Sequence, residues 1–224
     1  MTEDKNKGYF AVDKLMKKAK TADVTLDDIN DAYATHSAIY ETGMKNNDYS
    51  GHIVAVSKLT QKLKEFEFTN NVRIIDMGCG TGMAGEQLSK HGYTNLDGVD
   101  LNFQMLELAR KKGIYKSLQT GAMGSPNCKD LGINPNEYDA AICTGVLALA
   151  HVESEGLNDL IHVVKPGGLV CFSIRDMHYN TKKCNFPESI EQNCKDGKWK
   201  LIDKHHQENY LEGDGAWYFV CQIL

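Results

Sequence analysis

The chain predicts an α/β fold: a doubly wound, seven-stranded sheet, mostly parallel, with helices on both faces and an antiparallel C-terminal hairpin at its edge. Three observations carry this expectation. Strand-like and helix-like segments alternate from about residue 72 to 174, the pattern of parallel strands joined by helical crossovers. The apolar run Val72-Arg73-Ile74-Ile75 ends in Asp76 and passes into Gly78, Gly80 and Gly82, where a helix-like segment begins. Two last strand candidates, Trp199–Ile202 and Ala216–Leu224, have no helical segment between them, so they pair as neighbours.

Residues 9–20 and 26–42 have helical spacing, the second opened by Thr25 as an N-cap ahead of Asp27 and Asp28. Ile53, Val56, Leu59 and Leu63 recur at helical spacing through 51–66. After the first strand, Met83–His91 is a helix closed by Gly92. Leu96–Asp100 is the second strand, and Phe103–Lys112 a helix closed by Gly113. Leu118–Gly121 is a weak third strand and Tyr138–Cys143 the fourth. A helix near Glu155–Val164 stops at Pro166-Gly167-Gly168, and Leu169–Ile174 is the fifth strand. In such sheets a ligand lies beyond the carboxyl ends of the strands, at the topological switch point. That places Asp76–Gly82, Asp100, Gly121–Met123 and Thr144–Gly145 on one rim.

Length and composition bound the rest. At 224 residues the chain is long enough for one well-buried core and too short for two ordinary domains with linkers. A net charge of −5 argues against a nucleic-acid surface, and no apolar run is long enough to span a membrane. Residues 1–20 hold six lysines among acids, without an apolar stretch or an arginine, unlike a signal or transit peptide. Seven cysteines, an odd number without any C-x-x-C, predict buried thiols in a reducing, cytoplasmic setting. Cys184, Cys194, His205 and His206 have no usual zinc spacing.

The turn after the first strand is the informative one. Glycine permits positive φ and lets a ligand lie against bare backbone. Gly80-x-Gly82-x-x-Gly85 also fits the dinucleotide fingerprint, with Asp100 near the place of its ribose-binding acid. Asp76 weighs against that alternative, because a carboxylate beside the turn repels a pyrophosphate held at a helix N-terminus.

Asp76, Gly78, Gly80 and Gly82 resemble the acid-x-Gly-x-Gly-x-Gly signature of class I S-adenosylmethionine-dependent methyltransferases, whose fold is Rossmann-like. Further motifs follow in order. Asp100 stands where the family has an acid on the ribose hydroxyls, with Leu101 beside it; Asn102 and Met105-Leu106 match the segment under the adenine. Gly121-Ala122-Met123 matches the adenine edge of the third strand. Tyr138-Asp139-Ala140-Ala141-Ile142 matches the fourth strand, and Val164-Lys165-Pro166-Gly167-Gly168 the turn before the fifth. The resemblance implies S-adenosylmethionine as cofactor. It would be bound by Asp76, Gly78, Cys79, Gly80, Gly82, Asp100, Leu101, Met105, Ala122, Met123, Thr144 and Gly145. Met105 and Leu106 read equally as helix-face core residues.

The segment from Asp31 to Tyr40-Glu41 resembles the aromatic lid of small-molecule methyltransferases, so Tyr40 is either a lid residue over the cofactor or core packing. The Asp28-Ile29-Asn30-Asp31-Ala32-Tyr33 opening, Gly113-Ile114-Tyr115 and the Lys165–Cys171 run are similar to the Williams–Beuren-region methyltransferase-like proteins. The resemblance implies one domain over 1–224: a helical cap (1–66), a cofactor-binding core (72–174) and a substrate-side segment with the edge hairpin (175–224).

His151 follows the fourth strand where related enzymes often carry a histidine, and imidazole suits a general base. A helix-capping or buried structural role is the alternative. Thr144-Gly145-Val146-Leu147 is not the Asn/Asp-Pro-Pro-aromatic run of enzymes that methylate base or amide nitrogens. Nor does it supply the carboxylates of metal-dependent catechol-type enzymes, so no metal is expected. A small-molecule acceptor follows by elimination, with a protein side chain second. The rival function is a non-catalytic scaffold that keeps the cofactor pocket.

Overall fold

Adjacent apolar residues of the first strand have separate destinations. Ile74 packs with Val56, Leu59 and Leu63, whereas Ile75 packs with Leu160, Phe172 and Trp199. A strand buried on both faces needs such an unbroken apolar run. The computed structural model describes Lys14, Lys18 and residues 24–211 and 213–224. The helix expected over residues 9–20 therefore lies outside the described residues, apart from Lys14 and Lys18, which are helical.

The described elements are α1 (Leu26–Asn46), α2 (Gly51–Glu65), β1 (Ile74–Met77), α3 (Met83–Lys90), β2 (Leu96–Asp100), α4 (Phe103–Lys111), β3 (Ser117–Thr120), a 3₁₀ turn (Pro126–Cys128), β4 (Tyr138–Leu147), α5 (Gly156–Val163), β5 (Val164–Arg175), α6 (Asp176–Tyr179), α7 (Phe186–Lys195), β6 (Trp199–Leu211) and β7 (Asp214–Ile223). The sheet order is β3-β2-β1-β4-β5-β7-β6. Strands β1 to β5 pair in parallel, and β7 runs antiparallel to both β5 and β6. The seven-stranded, mostly parallel sheet with its C-terminal antiparallel hairpin is the expected one.

Local chemistry explains the element ends. Thr25 Oγ1 accepts from Asp28 N at 3.2 Å while Asp28 Oδ2 accepts from Thr25 N at 2.9 Å, a reciprocal capping box opening α1. Asn102 caps α4 by accepting from Met105 N at 3.0 Å.

The boundaries depart from expectation where tertiary contacts take over. β4 continues past Cys143 to Leu147 because its pairing with β5 survives a register shift, with Gly145 at φ +74 inside the irregularity. β5 begins at Val164, which pairs with Tyr138, while Leu169 pairs with Ala140; Lys165–Gly168 bulge out between them. β6 runs to Leu211 through the polar Asp203–Glu208 segment, since an edge strand needs no continuous apolar face. Neither α6 nor α7 was expected; α7 buries Phe186 and Ile190, four residues apart, against the core containing Trp199. Ile29 of α1 packs with Ala148 in a small cluster apart from both main cores. Among the described residues no helix is long and apolar enough to cross a membrane.

Candidate active site

The three turn glycines have positive φ for different reasons. A Cβ on Gly78 would collide with Val146 Cγ2, and one on Gly82 would lie 3.0 Å from Tyr115 Cε2. A Cβ on Gly80 would meet nothing within 4 Å. Gly78 and Gly80 line a cavity beyond the carboxyl ends of β1, β2 and β4; Gly82 stands outside its lining and opens α3 against Tyr115. The cavity encloses ≈ 980 Å³ of empty space, mouth included.

Residues from five separate segments meet there. Asp76, Cys79 and Thr81 come from β1 and its turn, Asp100 and Leu101 from the end of β2, and Met105 from α4. Ala122 and Met123 follow β3, and Thr144 and Gly145 lie in the β4 irregularity. Leu106, paired with Met105 in the sequence reading, is outside the lining and packs 1% exposed in the core. Tyr40 lines the cavity and also packs against the core on the α2 face.

The two acids are held differently. Asp100 Oδ2 accepts from Gly80 N at 2.7 Å and Oδ1 from Asn102 N at 2.8 Å, so each oxygen keeps a further lone pair. Burial raises its pKa against those two bonds. Asp76 Oδ2 accepts from Tyr115 Oη at 2.6 Å. Burial pushes Asp76 up to about 7, opposed by the Tyr115 hydroxyl.

Several lining residues were not named as binding residues from the sequence, although Tyr33 lies in the lid-like segment. Tyr33, two helical turns before Tyr40, meets it edge to face at 5.7 Å. Tyr49 lies in the α1–α2 turn, stacks on His52 at 5.3 Å and approaches Thr144 Oγ1 at 3.4 Å. His52 Nδ1 and Thr81 Oγ1 are buried without a hydrogen-bond partner. The seven-residue spacing of Tyr33 and Tyr40 was the one legible signal; Tyr49, His52 and Thr81 are brought in by the fold.

His151 lies in the cavity wall with its ring 5.8 Å from that of Tyr33. Its Nδ1 stands 2.6 Å from the Val146 carbonyl oxygen. A carbonyl only accepts, so Nδ1 carries the proton and Nε2 holds the free lone pair. Burial lowers the pKa below that of free imidazole and keeps the ring neutral.

Comparison with known proteins agrees with this geometry. Residues 74–168 match a family model described as a methyltransferase domain. The human Methyltransferase-like protein 27 is 31% identical over 169 residues, which cover 75% of this chain and 62% of that protein. The region of likeness, residues 74–168, is that of a methyltransferase domain. The Ubiquinone biosynthesis O-methyltransferase of Hydrogenovibrio crunogenus is 28% identical over 138 residues, 60% of this chain and 57% of that protein. Among solved structures, a TehB-like SAM-dependent methyltransferase from Corynebacterium glutamicum shares the fold, with TM-score 0.60 and 17% identity, over 85% of this chain and 99% of that one. The chain thus spans 62% and 57% of the lengths of these two curated relatives.

Proposed function

We propose that the chain transfers a methyl group from S-adenosylmethionine to a small-molecule acceptor, acting in the cytoplasm as one domain over 1–224. The observation that carries this reading is the convergence of Asp76, Gly80, Asp100, Met123, Thr144 and His151 on one cavity. Asp100, with its spare lone pairs, is suited to a vicinal diol such as the ribose. Leu101, Met105, Ala122 and Met123 supply the apolar surround of an adenine. Open space at Gly80 leaves room for ligand against backbone. Asp76 favours an ammonium and opposes a pyrophosphate. The unpartnered Thr81 Oγ1 and His52 Nδ1 are buried polar atoms that a polar ligand would satisfy.

When bound, the cofactor supplies a methyl carbon on sulfonium sulfur; the acceptor's lone pair forms the new bond as the carbon–sulfur pair returns to sulfur. The chain's own task is to orient the acceptor and exclude water. Helix α1 does both, covering the cavity with Tyr33 and Tyr40. Where the acceptor atom carries a proton, His151 Nε2 takes it. A small acceptor is supported by the recess of the cavity beneath Tyr33 and Tyr40 and by the likeness to an O-methyltransferase of ubiquinone biosynthesis. Seven unpaired cysteines support a reducing compartment.

The test is calorimetric titration with S-adenosylmethionine and S-adenosylhomocysteine, followed by acceptor-dependent turnover. Binding of both is expected. Thermal stabilisation by NAD, with none from either adenosyl compound, overturns the reading. Cofactor binding without acceptor-dependent turnover across metabolite pools overturns catalysis and leaves the scaffold.

A further inference from the structure

The stretch Gly121-Ala122-Met123 lines the cavity without a strong hydrogen-bonding side chain, so it can read the polar edge of a base only through its backbone. That backbone is held from behind. Gly121 N–H donates to Asp100 O at 3.1 Å and Ala122 N–H to Asp130 O at 2.9 Å. Gly124, at φ +83, donates its N–H to Asp159 Oδ2 at 2.6 Å. Asp159 belongs to α5 and stands outside the cavity lining.

An acid is more than such a bond requires. Asp159 is 0% exposed, and its Oδ1 has no hydrogen-bond partner among the described residues. Burial raises its pKa, while the Gly124 N–H, the Cys128 thiol and the His162 ring act in the opposite direction. A buried carboxylate costs several kcal/mol of hydration, and a neutral asparagine would accept from Gly124 at lower cost. The charge brings a shorter and stronger bond. Its seat is fixed: Leu157, Leu160 and Val163 hold α5 in the core with Ile75 and Phe172, and Met123 packs against that same core. Gly156 leaves the room for this, since a Cβ there would strike Val152 and lie 3.7 Å from Met123 Cε.

The geometry of one peptide unit carries the consequence. Met123 C=O and Gly124 N–H belong to the same planar trans peptide, so the two point in opposite directions. With the N–H turned outward to α5, the Met123 carbonyl turns to the cavity side. A carbonyl whose own peptide N–H donates to a charged acceptor is polarised into a stronger acceptor. The exocyclic amino group of a purine suits such a carbonyl. A keto oxygen at the same ring position meets it lone pair to lone pair.

We infer that Asp159 is a positioning residue for base recognition: through Gly124 N–H it aims and strengthens the Met123 carbonyl as acceptor for the 6-amino group of the cofactor's adenine. The inference rests on the methyltransferase reading above and deepens it, by naming what selects a 6-aminopurine over a 6-oxopurine. Asp159 lies outside the cavity and acts only through the loop.

The experiment titrates the full chain calorimetrically with S-adenosylhomocysteine and S-inosylhomocysteine, which differ in the group at ring position 6 and in the adjoining ring proton. The parent is expected to prefer the adenosyl compound by about tenfold or more, the effect of one hydrogen bond replaced by a buried contact between two acceptors. In Asp159→Leu the preference is expected to shrink to about threefold or less, with Asp159→Asn, a neutral acceptor of the same shape, between the two. A merely structural role would lower the affinity for both compounds alike and leave their ratio as it was. An unchanged ratio in a folded variant therefore overturns the inference; if the leucine variant does not fold, the asparagine variant decides by the same ratio. A parent that binds both compounds equally overturns it as well, with the methyltransferase reading left standing. Failure of the parent to bind either compound overturns the methyltransferase reading and this inference with it.

Discussion

Asn102 donates its side-chain amide to Asn30, at 3.0 Å to the backbone oxygen and 2.7 Å to Oδ1. The same residue donates its backbone N–H to Asp100 and caps α4 through Met105. One buried side chain therefore ties helix α1 to the acid at the end of β2. At the other end of α1, Glu41 pairs with Lys112 at 2.6 Å. Between these ties α1 shares little with the main cores, so the covering helix is a separately held element.

Asn30→Ala removes one side of the Asn102 contact. Amide hydrogen exchange across residues 26–46 is expected to rise by about fivefold or more, equivalent to roughly 1 kcal/mol, with α2 unaffected. Equal acceleration in both helices would mean that the contact does not hold α1 in particular.

Asp100→Ala is expected to reduce cofactor affinity by of order 2–4 kcal/mol, or roughly thirty- to a thousandfold. It is also expected to lower the melting temperature, because Gly80 N and Asn102 N lose their acceptor. Calorimetry that finds affinity within about twofold of the parent, on the same scale, excludes Asp100 as the ribose ligand.

Gly80→Ala and Gly78→Ala separate ligand space from turn geometry. The added methyl at Gly80 meets no protein atom, so thermal stability loses only the strain of a side chain at φ +52, about 1–2 kcal/mol, and cofactor affinity is expected to fall further. At Gly78 the methyl strikes Val146, so both are expected to fall. Matching losses of stability and affinity at Gly80 would assign that glycine to the turn alone.

Asp76 makes cofactor binding pH-dependent. Its pKa in the fold is raised from 3.8 to about 7, so protonation is favoured in the native state. The sign follows: the apo fold gains stability from this group below pH 3.8 and loses it as pH rises through about 7. A cationic ammonium prefers the ionised form, so affinity is expected to climb through the same interval. Calorimetry from pH 5.5 to 8.5 checks this, and in Asp76→Asn that slope should vanish. Tyr115→Phe removes a bond that holds the pKa down and should move the midpoint upward. An unchanged midpoint would show Tyr115 to be packing only.

His151→Gln is expected to lower kcat by about 10²–10⁴-fold with cofactor affinity nearly unchanged. The sequence alone predicts a pH–rate profile rising through an apparent pKa of about 6–7. Burial moves that limb below 6.5. Survival of kcat in the variant would reduce His151 to a structural residue hydrogen-bonded to Val146.

The part legible in sequence was the part decided locally. Glycines at 78, 80 and 82, the acid at 76 and the cap at Thr25 act within a few residues of themselves. Strand identity in Ile74–Met77 and Leu169–Ile174 follows from runs buried on both faces. Parallel pairing follows from alternation with helices, and the carboxyl ends of parallel strands already place Asp76, Asp100, Met123 and Thr144 on one rim.

Tertiary structure decided what depends on segments distant in the chain. Tyr115 packs over Gly82 and Gly85 and bonds to Asp76, so it sets both the glycine requirement there and the acid's proton affinity. Gly82 matched the motif yet faces Tyr115 instead of the cavity, because a left-handed residue opening α3 serves the turn whether or not ligand is near. β6 reached thirteen residues on polar sequence because its pairing with β7 supplies what periodicity lacks. Tyr49 and His52 enter the cavity because α2 packs on the sheet, and His151 acquires its tautomer because the β4 irregularity aims the Val146 carbonyl at it. Side-chain patterns encode elements through short-range sterics and burial; which side chains then share a cavity, and in which protonation state, is determined by packing between those elements.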